Sequence, residues 1–173
     1  MKHLLTAALI ATALASPVRA DELFGYQLFM DIRTYHNDLS GAYQHFATPS
    51  SYREILVEPK IANVAFSDYW LDYNSETFAL HTVMALQDVL TIDYCEAEME
   101  NWVPRLEDRF GVTLAFQQWQ DAGITTHSYG ARKNGAVIEV RCDTYHHDGS
   151  VELSIIWRSE ELWAEISRGF DEF

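Results

Sequence analysis

Basic residues are scarce in this chain: 12 Lys and Arg stand against 26 Asp and Glu, for a formal net charge of −14. That shortage argues against nucleic acid and anionic lipid as partners, since both are held mainly by Lys and Arg neutralising phosphate. Cysteine is scarcer, with only Cys95 and Cys142, which excludes a CxxC zinc or redox motif. No HExxH segment and no nucleotide-binding signature occurs either, so no cofactor is called for. The one long apolar run, Leu4 to Ala15, falls short of the roughly 20 residues of a membrane span. Repeats, low-complexity tracts and Gly/Ser linkers are absent, which removes the usual signs of a second domain.

The beginning of the chain reads as an export signal. Met1-Lys2-His3 is a short basic start, the apolar run follows, and Val18-Arg19-Ala20 offers small residues for cleavage before Asp21. The expected organisation is therefore a signal peptide over residues 1–20 and one domain over 21–173. About 150 residues are enough to bury a sizeable core without a staple. Loss of Lys2 and Arg19 leaves ten basic residues against 26 acidic ones and moves the formal charge to −16. Such a surface suits a cationic ligand, a basic partner such as an envelope protein, or a neutral ligand; that the charge only keeps an exported protein soluble is the plainer reading.

The clearest element is a helix over Thr91 to Gly111. Cys95, Met99, Trp102, Leu106 and Phe110 form one apolar stripe at helical spacing. Thr91 or Asp93 caps its start and Gly111 follows its end. Acids come early and arginines late, as the helix dipole favours. Pro104 is discordant and predicts a kink near Glu100 to Pro104, or two shorter helices.

In Ala136 to Thr144, strand alternation places Ile138, Val140, Cys142 and Thr144 on one face and Glu139, Arg141 and Asp143 on the other. Both cysteines thus face the core, and an exported chain meets an oxidising compartment. A Cys95–Cys142 disulfide is expected. It would close a loop of about 47 residues, worth roughly 4 kcal/mol by loop-closure entropy.

Residues 21–60 read weakly, with a preference for short helices ending at Pro59. Strands follow at Phe66 to Tyr73 and Phe78 to Gln87, the second apolar on both faces and hence central. After the helix come a short apolar piece, Val112 to Phe116, and a glutamine-rich connection. Asn134-Gly135 is a strong hairpin signal that pairs Lys133 with Ala136, Ala131 with Ile138, Tyr129 with Val140 and His127 with Cys142. A second turn at Asp148-Gly149 would set His147 opposite Ser150, His146 opposite Val151, Thr144 opposite Leu153 and Cys142 opposite Ile155. Ser159 then caps a last helix, Glu160 to Arg168. The fold class expected is α+β: an antiparallel sheet of about five strands with helices packed on one face, in two layers.

Candidate chemistry is sparse. His127 beside Cys142 invites a catalytic cysteine, but that cysteine has a disulfide partner and the histidine no orienting group. His146 and His147 are strand neighbours that point to opposite faces, a poor metal pair. Glu96 and Glu100 share a helix face as solvated carboxylates. Asp68, Trp70 and Asp72 share one face of a strand that reads as an edge. Burial of Trp70 under the N-terminal section is the plainer reading. The alternative is an exposed indole flanked by carboxylates, suited to a cationic ligand or a basic peptide. The function expected is an exported, soluble, non-catalytic binding or structural module of the cell envelope. The alternatives are a small hydrolase or redox enzyme with a hidden site and a histidine-based metal carrier.

Overall fold

The computed structural model describes residues 22–45 and 49–170; the signal peptide expected over residues 1–20 lies outside them. Seven antiparallel strands form one sheet: β1 (Tyr52–Leu56), β2 (Asp68–Asn74), β3 (Leu80–Val89), β4 (Ala115–Asp121), β5 (Ile124–Lys133), β6 (Ala136–Tyr145) and β7 (Val151–Ser159). Their order is β1-β2-β3-β7-β6-β5-β4, so the last strand sits in the middle and joins two sequential meanders. The α+β antiparallel class is as expected. The strand number is corrected from five to seven, because β1 and β4 lack an alternating pattern; every residue of β4 is exposed.

The helix α1 (Ile92–Phe110) buries Cys95, Met99, Trp102, Leu106 and Phe110, the full expected stripe. Thr91 accepts a hydrogen bond from Tyr94 N, and Gly111 closes the helix at φ 59°, a left-handed conformation that suits a residue without a Cβ. Lys133, beside the β5–β6 turn, donates its ammonium to the Phe110 carbonyl, placing a cation on the negative helix end. Of the two outcomes expected at Pro104, a kink or two shorter helices, the second does not hold, as one helix runs on through it. Pro104 and Glu100 both lie on the exposed side, so the carbonyl that loses its partner faces solvent.

One sheet face packs against α1. It carries Val140 and Cys142 on β6, Leu153 and Ile155 on β7, and Val83 and Ala85 on β3, all buried. Cys95 and Cys142 form a disulfide across a sequence separation of 47, joining helix to sheet. The N-terminal section extends this face: Phe24 meets Tyr69 edge-on at 5.2 Å between ring centroids, and Phe66 meets Trp102 at 5.4 Å. Short helices were expected there; among the described residues only the single turn Ile32–Thr34 forms. Phe24 and Phe29 adopt positive φ, which interrupts helical winding, and the chain instead bonds to the end of β3 through Phe29 N to Leu80 O and Ile32 N to Phe78 O.

The β5–β6 hairpin has the expected register at all four pairs. The β6–β7 hairpin is displaced by two residues, with Cys142 opposite Leu153 and Thr144 opposite Val151. A shift of two preserves which face each residue occupies. The cause is the longer turn: Gly149 N bonds Tyr145 O, and His146 N is taken by Gly123 O, which removes His146 from the ladder.

Helices on one face hold for α1 alone. α2 (Glu160–Phe170) starts on Ser159, whose Oγ accepts from Leu162 N at 3.2 Å, and it brings Trp163 and Ile166 to the opposite side of the sheet.

Candidate functional site

Alternation along each strand sends every second side chain away from α1, to what we call the open face. Because neighbouring strands are in register, these side chains stand in rows across the sheet. One row runs Glu54, Asp72, Thr82, Arg158 over β1, β2, β3 and β7. Another runs Thr126, Asp143, Glu152, Asp88 over β5, β6, β7 and β3. Between them stands Arg141, opposite Ser154. A cavity of about 620 Å³ lies over these rows, walled by Trp70, Trp119, Tyr145 and Trp163.

The charged groups in this cavity are buried to an unusual degree. Asp72 is 3% exposed and Glu54 8%. Arg158 Nη2 lies 3.9 Å from Asp72 Oδ2, an ion pair without a short hydrogen bond, while its Nε donates to Thr82 Oγ1 at 3.0 Å. Burial pushes the Asp72 carboxyl up, against the opposing pull of Arg158, and lowers Arg158 for the same reason. Glu54 is also raised, by burial first and by the neighbouring Asp72 second. Tyr43 pairs with Glu54 through its backbone, and its ring meets Trp70 edge-on at 6.0 Å. Two oxygens, Glu54 Oε2 and Asp72 Oδ1, have no hydrogen-bond partner among the described residues.

At the other end, Asp143 accepts from Thr126 Oγ1 at 2.5 Å. Arg141 Nε lies 2.8 Å from Asp143 Oδ2, yet its N–H has no hydrogen-bonding partner, so charge attraction rather than an aligned hydrogen bond joins the two. Burial opposes the Arg141 charge, but Asp143, Glu139 and Glu152 hold it protonated above its ordinary range. Glu152 is pushed up to about 7 by burial, with Arg141 opposing and Asp143, Asp88 and Asp68 reinforcing the shift.

Of the residues singled out from the sequence, Trp70 and Asp72 line the cavity, Trp70 half-buried rather than sealed in the core. Asp68 shares their face but is exposed and stands outside the lining. Their strand is not an edge, since β1 covers it. His127 does sit opposite Cys142, and Glu96 of α1 supplies the orienting partner that the sequence had not revealed, through a hydrogen bond to Nδ1. Cys142 is nevertheless in the disulfide and holds no free thiol. His146 hydrogen-bonds Thr125 Oγ1 at 2.8 Å. Among the described residues no three His, Cys, Asp or Glu converge as a metal-binding group.

Sequence reasoning missed Glu54, Arg141, Glu152 and Arg158 as site residues. A signal existed: charges at alternate positions of strands with a partner on both sides must stand side by side across a sheet, where mere solvation of isolated charges is a poor explanation. No protein-family model, curated protein or solved structure matches the chain.

Proposed function

We propose that this chain is an exported, non-catalytic binding module whose ligand site is the cavity on the open face of the sheet. The observation that carries the reading is the pair of buried carboxylate oxygens, on Glu54 and Asp72, left without partners in a cavity with aromatic walls. A buried acceptor without a donor costs roughly 1–3 kcal/mol, more when charged. A fold that keeps two such acceptors on residues lining a cavity is arranged for a donor that arrives from outside. Export is supported by the leader pattern of residues 1–20 and by the joined cysteines. No helix among the described residues is long and apolar enough to cross a membrane.

A thermal-shift screen of small molecules spanning both charges and neutral compounds tests the reading. Ligands should raise the melting temperature of the native chain and lose that effect in Trp70→Leu. If the stabilising compounds act equally on Trp70→Leu and Glu54→Gln, the cavity is not their site.

A second reading rests on one observation, the cross-strand carboxylate pair Glu54 and Asp72 with both groups raised. Polar groups converging in a pocket are what an enzyme needs, and one protonated and one ionised carboxyl would suit acid–base hydrolysis of a glycosidic bond. This reading predicts slow release of nitrophenol from aryl glycosides, abolished in Glu54→Gln.

A further inference from the structure

We infer that the ligand of the open-face cavity is an aliphatic primary ammonium, its head hydrogen-bonded by Glu54 Oε2 and Asp72 Oδ1 and its chain lying against Trp70. The inference rests on the proposed reading of the cavity as a ligand site and names the chemistry that site selects.

Three independent features favour a cation with N–H donors. The first is the nature of the missing partners. Both unpartnered atoms at this end are carboxylate oxygens on cross-strand neighbours, each more than nine-tenths buried. They can only be satisfied by donors. A primary ammonium carries three donors, enough to serve both oxygens at once, whereas a quaternary ammonium carries none.

The second feature is charge. Five carboxylates line the cavity (Glu54, Asp72, Asp121, Asp143 and Glu152) against two guanidiniums, Arg141 and Arg158, and one imidazole, His45, which favours the ionised forms of Glu54 and Asp72. Each guanidinium is already engaged: Arg158 with Thr82 and Asp72, Arg141 with Asp143. An anion would meet surplus negative charge, and the one guanidinium N–H without a partner, on Arg141, stands at the other end of the cavity; beside Glu54 and Asp72 a cation meets a field of the right sign.

The third is the wall. Trp70 is two residues from Asp72 on the same strand and so stands on the same face beside it, with Tyr43 edge-on against it. An indole face next to a carboxylate attracts a cation through its quadrupole and covers an alkyl chain. Burial raises both carboxyls, Glu54 further through its neighbour Asp72, and a positive charge placed beside them favours their ionised forms.

An isosteric series separates this inference from the reading beneath it. n-Butylammonium, n-butanol and butyrate have nearly the same shape and differ in charge and donors. Titration of the full chain at neutral pH, followed by calorimetry or tryptophan fluorescence, should show n-butylammonium binding at least tenfold more tightly than n-butanol. Butyrate should bind more weakly still, and tetramethylammonium should fall at least tenfold below n-butylammonium. Glu54→Gln should lower n-butylammonium affinity about tenfold while leaving n-butanol unchanged. Trp70→Leu, a second variant on a half-buried side chain, should weaken both. If butyrate or n-butanol binds as tightly as the amine, the cavity is a ligand site but the ammonium inference is wrong. Equal binding of tetramethylammonium likewise refutes the donor requirement. If no member of the series binds and the tryptophan signal does not move, both the inference and the reading of the cavity are overturned.

Discussion

The two faces of one sheet are built on opposite principles. The face toward α1 is apolar, closed and covalently pinned: Val140, Leu153 and Ile155 pack under the helix and Cys142 is bonded to Cys95. The open face places Glu54, Asp72, Glu139 and Asp143 in near-complete burial alongside Arg141 and Arg158, and leaves several of their polar atoms without partners. Residues adjacent on a single strand, such as Ser154 and Ile155, belong to these different regimes. One face is organised for stability, while the other holds polar groups at a cost in stability.

This contrast can be broken or sharpened by experiment. The largest effect belongs to the bridge. Replacing Cys95 and Cys142 together by alanine should lower the unfolding free energy by about 4 kcal/mol, read by urea titration against the oxidised wild type. An undiminished midpoint would mean that the bridge does not pin the helix face.

Next comes the strand pair. Ile155→Ala should cost about 2–5 kcal/mol by opening a cavity under α1, whereas its neighbour Ser154→Ala should cost under about 0.5 kcal/mol or stabilise, because the Ser154 hydroxyl is buried without a partner. Similar losses at the two positions would erase the distinction between the faces.

A smaller gain is expected from Glu54→Gln, which removes a carboxyl raised by burial and by Asp72. Its melting temperature at neutral pH should match or exceed that of the wild type.

The subtlest test is the pH profile of Glu152. Its folded pKa, about 7, lies above the ordinary 4.5, so the folded chain holds that proton more tightly than the unfolded chain. The resulting stabilisation is full below about pH 4.5 and is lost as the pH rises through about 7. Wild type minus Glu152→Gln should therefore show a melting-temperature difference that declines across this window. Arg141, Asp143, Asp88 and Asp68 surround the group, and a profile that rises instead would show that Arg141 outweighs burial and the three carboxylates.

The helix face was largely legible in the sequence because its signals are periodic. The five-residue stripe from Cys95 to Phe110 predicted the buried side of α1, and the alternation around Cys142 predicted which side of β6 meets it. The Asn134-Gly135 turn fixed one register correctly, since a two-residue loop leaves no freedom. At Asp148-Gly149 the backbone of His146 bonds to a different turn, a tertiary contact with no local signature, and the register moved by two. β4 was invisible because an edge strand with both sides exposed has no reason to alternate. The open face was half legible. Alternation assigned Glu139, Arg141 and Asp143 to it, and Trp70 with Asp72 was singled out. That β1 would lay Glu54 against Asp72, and that α2 would bring Trp163 over the same surface, depends on long-range pairing that one sequence does not encode locally.

The place of β7 in the sheet bears on how the chain is delivered. Synthesis proceeds from the amino end, so β1, β2 and β3 emerge first and can pair in order. The partner of β3 is not β4 but β7, with Thr82 opposite Arg158 and Val89 opposite Val151. Until residues 151–159 arrive, the Leu80–Val89 strand presents a bare, apolar edge of the kind that joins other chains. Docking of β7 between the two halves is therefore the step that closes this edge.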